Sequence, residues 1–261
     1  MLYDKIIRMK HIINWKMFFI LLSTSLISVL CVFPYVLTLQ KDVLSQLKIS
    51  VGFLILAQFI QSVILFSIVI FFGLLFTKKV NFQLPLLESI LAMGNYHKVL
   101  KSILGKSVIS GIVVAALIYG LDTLFTIVGT AVTTHQINAP IWQTLLASFY
   151  GGITEEIIMR LFLMTLFIWI SMKLFRLKEP STPGVIVAIV LAAIIFGLGH
   201  LPITASLTKI TPLVVGRAVI LNGVGGVVFG WLFWKKGLES AIIAHFTADI
   251  FLLTIFPILL K

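Results

Sequence analysis

The sequence predicts an all-α fold, a polytopic membrane bundle of about seven or eight transmembrane helices. The first observation is composition, because 60% of the 261 residues are hydrophobic and only 11% are charged, a balance typical of membrane proteins. The second is that apolar runs of membrane-spanning length recur along the chain. The third is that Lys and Arg fall mainly on one side of these runs. We expect residues 1–261 to form a single integral-membrane domain.

The apolar runs define the predicted helices in chain order. Seven runs reach the length of about 20 residues that a bilayer requires. The fourth is long enough to hold two elements, which would give eight. The segment 78–106 carries apolar residues at helical spacing and predicts, in part, an amphipathic helix on the membrane surface. The predicted spans are 17–39, 50–77, 107–132, 141–172, 184–201, 213–234 and 239–259.

The charge distribution predicts the orientation. With the N-terminus in the cytoplasm, the inner segments hold 14 Lys and Arg residues and the outer segments hold 4. This asymmetry follows the positive-inside rule and accounts for the net charge of +11 without a nucleic-acid partner. The five Trp residues fall near span ends, where amphipathic rings prefer to lie. The lone cysteine, Cys31, excludes an intramolecular disulfide.

A polar stretch lies inside the fourth run, within residues 151–162. Glu155, Glu156 and Arg160 stand there among apolar residues, although each ionisable group costs at least ~2.5–3.5 kcal/mol in a membrane helix. Glu156 and Arg160 are four residues apart and share a helix face, which favours a structural ion pair. Glu155 points about 100° away around the helix. We therefore expect Glu156 to be structural and Glu155 to be free for chemistry.

Further polar residues follow in the next three runs. His200 ends the fifth run, Asn222 lies in the sixth, and His245 and Asp249 lie four residues apart in the seventh. Each has a structural interpretation. His200 could cap its helix, and His245 with Asp249 could form a hydrogen-bonded pair of the kind that is ordinary in membrane bundles.

The combination of these residues points to chemistry. A carboxylate and two histidines on separate helices can activate a water molecule for hydrolysis, and a further donor can stabilise the oxyanion that results. Asp122 and Arg217 lie in apolar runs outside this group, and we expect them to form a structural ion pair only.

Three motifs in this order resemble the CPBP family of intramembrane proteases, which includes the CAAX prenyl endopeptidases and bacteriocin-immunity proteins. The resemblance covers about residues 140–255, and the first 130 residues are similar only in being membrane spans. It implies a protease whose helices surround an intramembrane catalytic cavity. The motifs are Glu155-Glu156-x-x-x-Arg160, Phe196-x-x-x-His200 and His245-x-x-x-Asp249.

The resemblance also implies roles for single residues. Glu155 and His200 would activate the hydrolytic water, and His245 and Asp249 would stabilise the oxyanion. CAAX endopeptidase members carry Asn at the last position, so Asp249 is a departure. An ionised Asp249 would repel an oxyanion, so it must be protonated, orient His245 or bind a metal.

The remaining polar residues of this region have supporting roles in the same interpretation. Glu156, Arg160 and Asn222 are expected to hold the catalytic residues in position rather than to react.

The resemblance leaves one question of cofactors open. We expect a metal-independent mechanism with no cofactor. Two histidines and carboxylates could nevertheless ligate zinc, and the ligands would then be Glu155, His200, His245 and Asp249. No His-Glu-x-x-His helix is present in the sequence. The expected partners are membrane lipid and a peptide or membrane-protein substrate, with no nucleic acid.

The predicted function is an intramembrane endopeptidase that hydrolyses a peptide bond in a membrane-associated peptide or protein. The alternative is a non-catalytic bacteriocin-immunity or membrane scaffold protein of the same fold. A proton-coupled transporter ranks last, because the polar residues are confined to one half of the chain instead of recurring in inverted halves. The resemblance implies a prokaryotic plasma membrane.

A plain seven-pass topology raises one geometric difficulty. It puts His200 towards the outer end of its span and His245 about a third of the way from the inner end of its own. Both can reach one cavity only if that cavity lies near the middle of the membrane, or if residues 201–223 are partly re-entrant.

Overall fold

The computed structural model describes residues 13–46, 49–130 and 139–260. These residues form helices and no strands, and seven helices are long and apolar enough to cross a membrane, so the predicted all-α bundle is confirmed. The N-terminal basic residues Lys5, Arg8 and Lys10, on which the orientation partly depends, lie outside the described residues. The seven helices are α1 (Trp15–Leu39), α2 (Val51–Lys79), α3 (Tyr96–Ile127), α4 (Ile141–Leu174), α5 (Thr182–Ala205), α6 (Pro212–Lys236) and α7 (Leu238–Leu259).

The fourth apolar run is one long helix, so the described part of the chain has seven candidate spans and not eight. Its regular α-helical turns are interrupted by π-helical stretches at Tyr150–Glu155 and Ile157–Met164. These contain all three ionisable residues of the first motif except Glu156, which joins them. A π-helical turn leaves an i→i+5 hydrogen-bond pattern and is frequent at functional sites.

The third helix begins earlier than its hydropathy predicted. It starts at Tyr96, where the side chain of Asn95 accepts the Lys98 N–H at 3.0 Å, and so includes much of the segment expected on the membrane surface. Only Pro85–Leu91 forms a separate short helix there. Hydropathy misplaced the boundary because the lysines in the first turns of α3 extend the helix beyond its apolar part.

Helix α4 is the centre of the bundle. The Ser28 hydroxyl of α1 hydrogen-bonds to the Thr154 hydroxyl, and both groups are buried. On the α7 side, a Cβ atom at Gly152 would lie 2.8 Å from the Phe246 Cβ atom. Small residues allow membrane helices to pack this closely, so the glycines of the first motif bring α4 against α7.

Helices α5 and α6 form a second close pair. A Cβ atom at Gly197 would lie 2.5 Å from the Val219 Cα, and one at Gly226 would lie 2.6 Å from the Ala193 Cβ. The small residues of α6 therefore face α5 inside the molecule.

The expected ion pair between α3 and α6 is confirmed. The Arg217 Nε donates to the Asp122 Oδ1 at 2.7 Å, and both side chains are buried.

The start of α7 is attached to the segment between α2 and α3. Gly237 turns the chain with φ 91°, and the Leu238 N–H then donates to the Gln83 carbonyl at 3.3 Å. The Glu239 carboxylate accepts the Leu87 N–H at 2.8 Å. These contacts set the height of α7, and with it the depth of His245 and Asp249.

Candidate active site

Glu156 connects the first and third motifs. Its Oε1 lies 2.9 Å from the Arg160 guanidinium and 2.7 Å from the His245 Nδ1. All three side chains are buried, with relative exposures of 0%, 1% and 5%. The predicted Glu156–Arg160 pair is therefore present. The contact between Glu156 and His245 was not predicted, because it joins helices whose positions in the sequence are 89 residues apart.

Arg160 is held from several sides. Its Nη2 donates to the Gly226 carbonyl at 3.3 Å. Its guanidinium lies 5.2 Å from the centre of the Phe196 ring and 5.5 Å from that of Phe229, within the range of cation–π attraction. The arginine thus offsets the buried charge of Glu156 and ties α4 to α5 and α6.

His245 is oriented by this arrangement. A carboxylate paired with a guanidinium accepts hydrogen bonds, so the His245 Nδ1–H donates to Glu156. The Phe229 ring stacks on the imidazole with centres 4.7 Å apart. The Nε2 atom consequently points away from Glu156, towards Glu155 and Asp249.

The Nε2 atom lies between two carboxylates that are less buried than Glu156. It is 3.8 Å from the Glu155 Oε2 and 3.6 Å from the Asp249 Oδ1, and these side chains are 21% and 19% exposed. Glu155, His245 and Asp249 are therefore brought together as predicted, and Glu155 is the more accessible of the two adjacent glutamates.

Gly151 makes room for this group. A Cβ atom at position 151 would overlap the Asp249 carboxylate and would lie 3.2 Å from the His245 Nε2. The absence of a side chain at this position allows the backbone of α4 to pack directly against the two polar residues of α7.

His200 reaches the group through Phe196. The His200 Nδ1 lies 2.8 Å from the Phe196 carbonyl and must donate to it, which leaves the Nε2 as an acceptor. The Phe196 ring is 4.8 Å from the His200 ring and 5.7 Å from the His245 ring. The chain continues from His200 into the short helix Leu201–Ala205.

Asn222 does not join this group through its side-chain amide. The Asn222 Nδ2 donates to the Ala218 carbonyl of its own helix at 2.8 Å.

Two tyrosines near the carboxylates were missed from the sequence. Tyr35 of α1 interacts electrostatically with Asp249, and Tyr150 at the start of the first π-helical stretch interacts electrostatically with Glu155. Tyr35 lies seven residues after Ser28, almost on the same face of α1, and Ser28 faces α4. The heptad spacing of these two polar residues in an apolar helix was the available signal.

The donor set does not resemble a metal centre. In the part of the chain that the structure describes, no three His, Cys, Asp or Glu side chains are grouped so that they could hold a metal ion. The four residues of the zinc alternative are therefore not arranged as ligands here. The expectation that no cofactor is required stays a prediction.

Comparison with known proteins assigns the second half of the chain. Residues 137–251 match the family model described as type II CAAX prenyl endopeptidase Rce1-like. No curated protein and no solved structure matches the chain. All three motifs lie within the matched residues, and the resemblance predicted from them is confirmed. Through residues 137–251, the chain belongs to the Rce1-like group of type II CAAX prenyl endopeptidases, a protease family.

Proposed function

We propose that this protein is an active intramembrane endopeptidase that hydrolyses a peptide bond in a membrane-associated peptide or protein. The observation that supports this most directly is the position of the His245 Nε2, 3.8 Å from the Glu155 Oε2 and 3.6 Å from the Asp249 Oδ1. The opposite nitrogen is fixed by the buried Glu156–Arg160 pair. A histidine oriented by one carboxylate and facing another is the arrangement that proton transfer requires.

Glu155 acts as the general base in this mechanism. The 3.8 Å between Glu155 and His245 suits a bridge through one water molecule. Glu155 removes a proton from that water as its oxygen attacks the carbonyl carbon of the scissile amide, and the carbonyl electron pair moves to oxygen. When the C–N bond breaks, the proton on Glu155 passes to the departing amine nitrogen. The products are a carboxylic acid and an amine, and Glu155 is regenerated as a carboxylate.

His245 stabilises the oxyanion in this mechanism. Its Nδ1–H donates to Glu156, so a proton on the Nε2 can be donated to the oxygen that carries the developing charge. Asp249, 3.6 Å from the Nε2 on the other side, orients this N–H. The role resolves the departure from Asn, because Asp249 acts through the histidine and does not contact the oxyanion.

His200 assists from α5. Its Nδ1–H is engaged by the Phe196 carbonyl, so its Nε2 can accept a hydrogen bond from the hydrolytic water and orient it. The substrate would reach the site from the membrane that surrounds the seven apolar helices. We place the protein in a prokaryotic plasma membrane with the N-terminus in the cytoplasm, as the Lys and Arg distribution predicts.

The test is proteolysis by the purified protein in detergent with a fluorogenic peptide library. Glu155→Gln should lower the rate by roughly 10²–10⁴-fold, the usual contribution of a general base. Glu179→Gln, in the exposed connection between α4 and α5, is the matched control and should retain wild-type activity. Cleavage by Glu155→Gln at the wild-type rate would contradict the mechanism.

Two further arms separate the alternatives. Activity that persists with a strong chelator is expected, whereas activity lost with chelator and restored by zinc would contradict the metal-independent mechanism. The scaffold alternative predicts no cleavage by the wild type and a cellular phenotype that Glu155→Ala and His200→Ala rescue as well as the wild type does.

A further inference from the structure

Two neighbouring cavities lie at one end of the bundle, where α1 and α7 begin and α2 and α6 end. The larger has a volume of about 680 Å³ and the smaller about 400 Å³. Both are lined by Asn81, Phe82 and Gln83, which form the wall between them. The cavities are distant in sequence from the three motifs and take no part in the proposed hydrolysis.

The linings of both cavities are positively charged. Lys16 and Lys78 line the larger cavity, and Lys235 and Lys236 line the smaller one. The Lys235 ammonium is held 3.3 Å from the centre of the Trp234 ring. Against these four lysines stands one lining carboxylate, that of Glu88. The excess of positive charge predicts an anionic ligand.

The remaining lining residues combine hydrogen-bonding groups with apolar surface. Asn14, Gln83 and Ser102 offer side-chain hydrogen bonds, whereas Leu74 and Phe233 offer apolar contacts. Trp15 and Trp234 line the larger and the smaller cavity respectively, at helix ends where such rings meet lipid headgroups. A ligand that suits this lining has a negative charge, hydrogen-bond acceptors and an attached apolar part.

We propose that these two cavities bind the phosphate-bearing headgroup of an anionic membrane lipid. Basic pockets at the ends of transmembrane helices are suited to such headgroups. Because the cavities share a wall, one lipid that carries two phosphates, or two lipids that carry one each, can satisfy all four lysines.

The bound lipid would stabilise the catalytic helix from a distance. Gln83, in the shared wall, accepts the N–H of Leu238, the first residue of α7. A headgroup that orders Asn81–Gln83 therefore also supports the start of the helix that carries His245 and Asp249. Since a ligand of the native state stabilises it by mass action, the effect can be measured as thermal stability without any assay of proteolysis.

The experiment measures the Tm of the delipidated full-length protein in a neutral detergent. Phosphatidylglycerol, phosphatidylcholine and inorganic phosphate are added separately. Phosphatidylglycerol should raise the Tm by on the order of 5 °C when it exceeds its Kd about 100-fold, and the other two should not. A rise with inorganic phosphate of the same size would assign the site to free phosphate and overturn the lipid assignment.

Two variants with equal charge locate the effect. The cavity variant replaces Lys16, Lys78, Lys235 and Lys236 by Gln and should lose the Tm rise. The control variant replaces four exposed lysines at the same end of the bundle that do not line either cavity, namely Lys98, Lys101, Lys106 and Lys173. It should keep the rise. An equal loss in both variants would indicate diffuse attraction to the surface and overturn the proposal.

Smaller variants keep the test decisive if the fourfold change prevents folding. Lys16→Gln with Lys78→Gln, and Lys235→Gln with Lys236→Gln, should each reduce the Tm rise by about half if each cavity binds one phosphate. An undiminished rise in both pairs would contradict the assignment of the lipid to these cavities.

Discussion

At the scale of single residues, two adjacent glutamates have different surroundings. Glu156 is fully buried between Arg160 and His245, whereas the Glu155 side chain is 21% exposed and 3.8 Å from the other nitrogen of the same histidine. The first is a structural group that also orients the histidine, and the second is placed to exchange a proton. Substitution by Gln should therefore have different consequences at the two positions.

The first prediction concerns this difference. Glu156→Gln leaves the buried Arg160 without its counter-charge, and breaking a buried pair in this way costs about 3–5 kcal/mol. The Tm of Glu156→Gln in detergent should fall strongly, while Glu155→Gln should melt close to the wild type. Equal melting temperatures for the two variants would show that Glu156 does not stabilise the fold.

The second prediction concerns Tyr35. Its phenol interacts electrostatically with Asp249, so Tyr35→Phe should remove a polar group beside the site while preserving the apolar packing of α1. We expect a fall in kcat of roughly tenfold, the effect of one lost hydrogen bond in a reacting complex, with an unchanged Tm. Tyr96→Phe, at the exposed start of α3, is the control. Identical kinetics for both variants would separate Tyr35 from catalysis.

At the scale of elements, helix α4 is adapted to its neighbours by glycines and by two π-helical stretches. Gly151 and Gly152 allow α7 to approach until Asp249 and Phe246 contact the backbone of α4. The π-helical stretch Tyr150–Glu155 begins in the same place. The close approach of the two helices is what brings Glu156 within 2.7 Å of His245.

The third prediction uses a glycine pair with opposite expectations. Gly151→Ala introduces a Cβ atom that overlaps Asp249, so it should displace α7 and abolish cleavage. Gly120→Ala, in α3, meets no atom within 4 Å and should leave the Tm unchanged or raise it, since Ala in a helix is favoured over Gly by about 0.5–1 kcal/mol. Both are measured by melting and by peptide cleavage. Full activity of Gly151→Ala would show that the site tolerates a wider helix separation.

At the scale of the whole molecule, buried polar contacts join helices that apolar packing alone would leave unregistered. The Asp122–Arg217 pair joins α3 to α6, and the hydrogen bond of Ser107 to Ser240 at 2.7 Å joins α3 to α7. In a bilayer, apolar side chains gain little by contacting each other instead of lipid. Such polar contacts therefore determine which helix faces meet.

The fourth prediction tests this at the ion pair. Asp122→Leu alone leaves Arg217 buried and uncompensated, which costs about 3–5 kcal/mol. The double variant Asp122→Leu with Arg217→Leu removes both charges and should be more stable than Asp122→Leu. The Tm of the four proteins of this double-mutant cycle in detergent gives the coupling. A double variant less stable than both single variants would indicate that the two residues act independently.

Much of this arrangement could be predicted from the sequence because its physical basis is local. Hydrophobicity over about 20 residues defined the seven spans, and spacing of four residues on a helix predicted the Glu156–Arg160 contact. The three motifs identified the residues of the site and the family. The start of α3 was misplaced because hydropathy does not detect helical turns rich in lysine.

The remaining features depend on contacts between helices, which no local pattern encodes. The sequence by itself determined the all-α membrane class, the family and the polar residues within its apolar helices. Only the tertiary structure decided that Glu156 bridges Arg160 and His245, that Phe196 links the two histidines, and that Tyr35 lies near Asp249. The physical reason is that these contacts depend on the rotation and depth of each helix. Close packing at glycines and a few buried polar pairs set both, and they join parts of the chain that are far apart in sequence.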